Sequence, residues 1–250
     1  MRLLLVWSLF VASAGSAPPP APINMGTTLV AIKYQGGVVV AADSRTSVSG
    51  YVSNRYAYKI TPVNENCVLC RSGSAADTQQ IAWITRLELL DRSYRYGTKP
   101  TISQVAHCVR SFVYGSSGSV SLLVAGYDQN QKEGCIWSVS QSGALLEEDV
   151  YAVSGSGSSY IIGYLDHNLL QPGKELSEDD AVEFCKQAIE LAMNRDGSSG
   201  GLVRILVLNA KGSRTITVFP STATNSANPE KLLGFALPEY GFPPSKATNS

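Results

Sequence analysis
Two β-rich runs meet at a glycine turn near the start of the chain: TTLVAIKY over residues 27–34 and VVVAAD over 38–43, with Gln35, Gly36 and Gly37 between them. β-branched and apolar residues on both sides of a short glycine turn read as a hairpin, with the sheet opening at Thr27. The same signature returns in CVLCRSG (67–73), in SVSLLVAGYD (119–128) and CIWSVSQ (135–141) around the polar turn 128–134, and in GLVRILVLNA (201–210) and SRTITVF (213–219). Helical spacing lies between these runs. Ser74 and Asp77 form a capping box ahead of Ile81, Ile84, Leu87 and Leu90, a second helix is expected over 103–114, and Ser177 with Asp180 caps a third through about residue 193. A Gly/Ser stretch at 154–159 opens an apolar segment. Strands in hairpins with helices between them pack most economically as two antiparallel sheets covered by helices, an α+β layered sandwich.

The chain has 250 residues, 44% of them hydrophobic, which is enough for one good core. Lys plus Arg equals Asp plus Glu at 20 each, without a basic run, so nothing draws the chain to nucleic acid. The five cysteines are odd in number and read as reduced, buried thiols. Cys67 and Cys70 form a CxxC, but three positions apart on a strand they face opposite sides, so no metal is expected. Residues 1–26 stand outside the fold as a signal or a propeptide: Arg2, the apolar stretch 3–11 and then Ala12, Ala14 and Ala17 have the order of a secretory signal. That stretch is too short to span a membrane. The expected layout is a removed leader 1–26, a body 27–219 and a Pro/Ser/Asn/Thr-rich surface tail 220–250, with an apolar patch at 232–237.

Among hydrolytic chemistries, residues 197–201 match G-x-S-x-G. A nucleophile elbow needs a strand before it and a helix after it, and this order is reversed here. His107 falls in the helix expected over 103–114 and His167 in a polar-tipped segment, so structural or surface roles suit both. A threonine exposed as a new N-terminus needs no histidine, because its own α-amine, with a pKa of about 8, takes the proton. Thr27 is so placed, behind a glycine, although Thr-Thr at a strand start is also ordinary sheet chemistry.

Four separated motifs carry a resemblance: GTTLVAIKYQGGVVVAADSRTS (26–47), NRYAYKITPVNENCVLCRSGSAADTQ (54–79), GSGSSYIIGYLD (155–166) and MNRDGSSGG (193–201). Together they resemble proteasome beta subunits, and among these the caspase-like type that cleaves after acidic residues. The likeness covers roughly 27–219. It implies a four-layer αββα sandwich, the N-terminal nucleophile hydrolase fold, and a threonine endopeptidase made as a zymogen. By that resemblance Thr27 is the nucleophile freed by autocleavage after Gly26, Lys59 is the ammonium that favours its deprotonated hydroxyl, and Asp43 orients Lys59. Ser156, Asp196 and Ser199 surround the amine and the attacking water, and the Gly73 amide is the oxyanion donor. Arg71 lies at the base of the specificity pocket, with Ser47 and Ala57 beside it; Ser47, Val48 and Ala57 depart from the threonines common in the acid-preferring type.

The resemblance further implies an ATP-independent peptidase site in a stacked-ring particle of ubiquitin-linked protein degradation. Its partners are other beta subunits in a heptameric ring, alpha-ring subunits and polypeptide substrates; neither nucleic acid, membrane, metal nor cofactor is called for. Cytoplasm and nucleus are the expected locations, against the signal-like cue of residues 1–17. The alternatives are a non-catalytic ring subunit, or a secreted, diverged relative.

Overall fold
Tyr34 stands opposite Gly37 across the first turn, where Gly36 at φ +104° takes a conformation that favours glycine, and so β1 (Leu29–Tyr34) folds back on β2 (Gly37–Asp43). The computed structural model describes residues 26–219 except 49, 50, 115, 117, 172 and 174; the expectations for residues 1–25 and for the tail from 220 lie outside the described residues. A small ribbon follows, β3 (Thr46–Val48) against β4 (Tyr51–Asn54), with a bulge between Thr46 and Ser47. Next come β5 (Ile60–Asn64), β6 (Cys67–Gly73), α1 (Ala75–Tyr96), α2 (Ile102–Tyr114), β7 (Val120–Asp128) and β8 (Glu133–Ser140). The chain continues through β9 (Leu145–Glu148), β10 (Tyr151–Ser154), a 3-10 turn (Ser156–Tyr160), α3 (Ile162–Leu169), α4 (Glu178–Arg195), β11 (Val203–Asn209) and β12 (Gly212–Val218).

Two five-stranded antiparallel sheets result, ordered β10-β1-β2-β11-β12 and β5-β6-β7-β8-β9. Their central strands are apolar on both faces because each face meets another layer. Leu29, Ala31, Val38 and Val40 point between the sheets, onto Val68, Cys70, Leu123, Ala125 and Ile136. The alternate residues Val30, Ile32, Val39 and Ala41 pack under α3 and α4, against Leu165, Cys185, Ala188 and Ile189. On the other side Cys67, Leu69, Leu122 and Val124 pack under α1 and α2, against Ile81, Leu89, Val105 and Val109. The order of layers is therefore α, β, β, α. Cys67 and Cys70 do face opposite sides of β6, and the five cysteines are free and buried.

Several elements depart from the expectation. Ser74 caps α1 by accepting from the Asp77 amide at 3.4 Å, but its own N–H goes to the Ser119 carbonyl at 2.8 Å, so the reciprocal half of the box is replaced by a sheet contact. The buried face of α1 runs through Ile81, Thr85 and Leu89, while Leu87 and Leu90 are exposed. The complete capping box is at α2: Thr101 Oγ1 accepts from the Gln104 amide at 3.2 Å, and Gln104 Oε1 accepts from the Thr101 amide at 3.1 Å. The strands β3, β4, β5, β9 and β10 were not expected. They are short, and β5 carries Pro62, which a strand tolerates at a sheet edge, where β5 lies.

The seam between the sheets is well packed, so truncation there leaves a cavity. Leu123→Ala is expected to cost about 2–5 kcal/mol, read as a lower urea midpoint, whereas Leu146→Ala at an exposed position shifts stability by less than ~0.5 kcal/mol.

Candidate active site
Antiparallel pairing sets Leu29 opposite Ala42 on one side and Ser154 on the other, so the residues before β1 meet the end of β2 and the end of β10. At this end of the sandwich the Asp43 carboxylate is fully buried. Its Oδ1 accepts from Lys59 Nζ at 2.7 Å and from the Thr28 amide at 2.9 Å. Its Oδ2 accepts from the amides of Gly200 at 3.0 Å and Arg45 at 3.1 Å. Lys59, 6% exposed, spends a second proton on the Gly26 carbonyl at 2.9 Å, and the Thr27 hydroxyl donates to that same carbonyl at 2.7 Å. Gly26, Thr27, Asp43 and Lys59 thus form one continuous contact chain. Burial pulls the Lys59 ammonium below its usual range, although Asp43 works in the opposite direction.

Asp196 gathers the hydroxyls on the other side of Thr27. Its carboxylate accepts from Ser156 at 2.7 Å, Ser199 at 2.7 Å and Ser198 at 2.5 Å, and from the Ser198 amide at 3.0 Å. Burial alone would raise its pKa, but these four bonds outweigh it and hold the carboxyl below the usual range. Because each serine hydrogen goes to Asp196, the Ser156 oxygen is left to accept the Thr27 N–H at 3.2 Å, and the Ser199 oxygen accepts the Thr28 hydroxyl at 2.8 Å. The glycines of the 197–201 loop allow this approach. A Cβ on Gly201, at φ +86°, would stand 2.3 Å from Ser44 Oγ, while the Gly200 carbonyl accepts the amides of Ser44 and Arg45.

The Arg71 amide donates to the Lys59 carbonyl at 2.8 Å, and among the described residues no hydrogen bond joins Arg71, Gly73, Ser47 or Ala57 to Thr27. Gly73 ends β6 at φ +96°, where a Cβ would meet the Ser119 carbonyl at 2.1 Å. Arg71 is bound by Thr61 Oγ1 at 2.8 Å, Thr78 Oγ1 at 3.3 Å and the Tyr58 carbonyl at 2.5 Å, but by no carboxylate among the described residues. Burial lowers its pKa. Ala57 donates its amide to the Ser44 carbonyl, and Ser47 is buried in β3. His107 packs against Trp137, and His167 falls in the last turn of α3.

Reasoning from sequence passed over Ser198, Thr28, Ser44, Arg45 and Arg204. Arg204, buried in β11, lays its guanidinium over the Tyr58 ring at 3.6 Å and donates to the Tyr56 carbonyl at 2.9 Å, which fixes the segment leading into Lys59. The signal for it was a lone arginine in an apolar strand. Ser198 sat between two named residues, and the Asx-type turn that Asp196 makes with its amide was its signal.

Two antiparallel sheets between helix layers, with a threonine at the mouth of the first strand, define the α+β sandwich of N-terminal nucleophile hydrolases. The family description "Proteasome subunit" matches residues 23–208. "Probable proteasome subunit beta type-1" of Schizosaccharomyces pombe is 40% identical over 76% of this chain and 83% of its own length. "Proteasome subunit beta type-6" of Arabidopsis thaliana is 38% identical over 77% and 81%, and "Proteasome subunit beta type-9" of Homo sapiens 36% over 80% and 90%. The chain belongs to the proteasome subunit family, as a beta-type subunit of the 20S core.

The lowered Asp196 pKa fixes a sign. A carboxyl held below its unfolded value contributes stability that is fully present above about pH 4 and is lost as pH falls through the folded value. Asp196→Asn is therefore expected to be less stable than the parent near neutrality, with the gap closing in denaturant melts taken below about pH 4.

Proposed function
We propose that this subunit is a threonine endopeptidase whose nucleophile, Thr27, is exposed when the chain cuts its own bond between Gly26 and Thr27. The observation that carries this reading is the Gly26 carbonyl, held jointly by the Thr27 hydroxyl and the Lys59 ammonium. The ammonium polarises the carbonyl and stabilises the oxyanion that forms when Thr27 Oγ1 adds to its carbon. The carbon–nitrogen bond then breaks, the proton lost from the hydroxyl ends on the departing Thr27 nitrogen, and the resulting ester is split by water. The products are a leader ending in a Gly26 carboxylate and a body starting at Thr27. Residues 27–219 form the working domain.

In the mature subunit the same atoms act on a substrate peptide bond. Thr27 Oγ1 attacks, the free α-amine accepts and returns its proton, and Lys59, kept charged and oriented by Asp43, favours the deprotonated hydroxyl. Ser156, Asp196 and Ser199 hold the amine and the deacylating water, and the Gly73 amide takes the substrate oxyanion. The work is done within the 20S core beside other beta subunits and the alpha-ring subunits, on proteins destined for degradation in cytoplasm and nucleus.

The preference is for cleavage after acidic residues. Arg71 is half-buried and has no carboxylate partner among the described residues, so a substrate Asp or Glu supplies the missing counter-charge, with Ser47 and Ala57 bordering the chain that carries it. Assembled particles are expected to cut glutamyl and aspartyl reporter peptides faster than apolar ones through this subunit, and Thr27→Ala removes that cleavage. Arg71→Met reduces cleavage after acidic residues roughly 10- to 100-fold, the worth of a charge-assisted hydrogen bond of about 1.5–3 kcal/mol, and spares cleavage after apolar residues. Equal rates on both reporter classes, or a preference that survives Arg71→Met, contradict the assignment of Arg71.

A further inference from the structure
The residue ahead of Thr27 is glycine for a reason of space. Gly26 is not among the glycines with positive φ, so side-chain-bearing residues can adopt its backbone conformation. A Cβ at this position would nevertheless stand 2.1 Å from Ser198 Cβ and 2.3 Å from both Ser198 Oγ and the Ser198 carbonyl oxygen. Neither side is free to yield. Ser198 is pinned by its amide and its hydroxyl, which both donate to Asp196 Oδ1, and its Oγ lies 3.1 Å from Ser156 Oγ. Gly26 is pinned by its carbonyl, on which Thr27 and Lys59 converge.

We propose that Ser198 is a specificity-determining residue for the self-cleavage, a gauge that admits only glycine at the position whose carbonyl Thr27 attacks. The proposal rests on the self-cleavage reading above. Any side chain at position 26 forces a choice between two losses. Either the carbonyl leaves Thr27 and Lys59, or Ser198 leaves Asp196 and disturbs the Ser156 oxygen that receives the Thr27 N–H. The gauge acts on the leader alone, because cleavage removes Gly26 and empties the space against Ser198.

The test is a two-by-two set of chains, Gly26 or Gly26→Ala combined with Ser198 or Ser198→Gly, each co-assembled into the particle. The rate at which each chain comes to start at Thr27 is followed by intact mass. Gly26→Ala is expected to slow processing at least roughly tenfold beside Ser198, and the penalty is expected to shrink at least about threefold beside Ser198→Gly, the range in which contacting residues couple. Ser198→Ala, which keeps the Cβ and loses only Oγ, is expected to fall between the two, and it takes the place of Ser198→Gly if that chain fails to assemble. An alanine penalty of the same size in every background overturns the gauge and leaves self-cleavage standing. A parent chain, with Gly26 and Ser198 intact, that never loses its leader overturns both.

Discussion
The buried Asp43 carboxylate is the contact on which the rest of the site depends. One oxygen takes the Lys59 ammonium and the Thr28 amide, and the other takes the amides of Arg45 and Gly200. It therefore ties together the start of β1, the residue ahead of β5 and the loop ahead of β11. A fully buried carboxylate is costly unless every lone pair is used, and four donors on two oxygens meet that demand. Removing the carboxylate strands the Lys59 charge in the interior, a loss of about 3–5 kcal/mol in comparable buried pairs. It also releases the Thr28 amide.

The second centre, Asp196, is built differently. Among the described residues it makes no ion pair; serine hydroxyls and one amide hold its charge, and those hydroxyls in turn present acceptor oxygens to Thr27 and Thr28. One centre thus directs a cation at the Gly26 carbonyl, while the other directs an acceptor at the Thr27 nitrogen. The bond between Gly26 and Thr27 lies between them, with its two ends polarised in opposite senses. The segment ahead of β5 follows from the same economy. Tyr58 takes Arg71 on its carbonyl and Arg204 on its ring, so two guanidiniums steady the segment that delivers Lys59.

Much of this was legible in the sequence, for reasons that differ from element to element. The first hairpin was plain because Gly36 and Gly37 separate two runs with β-sheet composition, and the double-faced burial of β1 and β2 explains why those runs show little polar alternation. The strands β9 and β10 were not legible: LLEE and YAVS are too short and mixed to signal, and they form only by pairing with strands placed by others. The α1 register was misjudged because Leu87 and Leu90 fit a helical spacing as well as the truly buried Ile81 and Leu89. At the site, Thr27, Asp43 and Lys59 were reached through motif resemblance, since periodicity does not bring positions 27, 43 and 59 together. Ser198 escaped notice because its part is steric and depends on a neighbour far away in sequence. At Gly26 a Cβ would stand 2.1 Å from Ser198 Cβ, a lack of room that no local sequence pattern signals.

The central claim is that Thr27 frees itself. Intact-mass and N-terminal analysis of the chain recovered from assembled particles, beside a Thr27→Ala variant, tests it most directly. The account predicts a mature chain that starts at Thr27 and a variant that keeps Gly26 on its body. A parent chain that retains Gly26, or a variant trimmed at position 27 as fully as the parent, would contradict it.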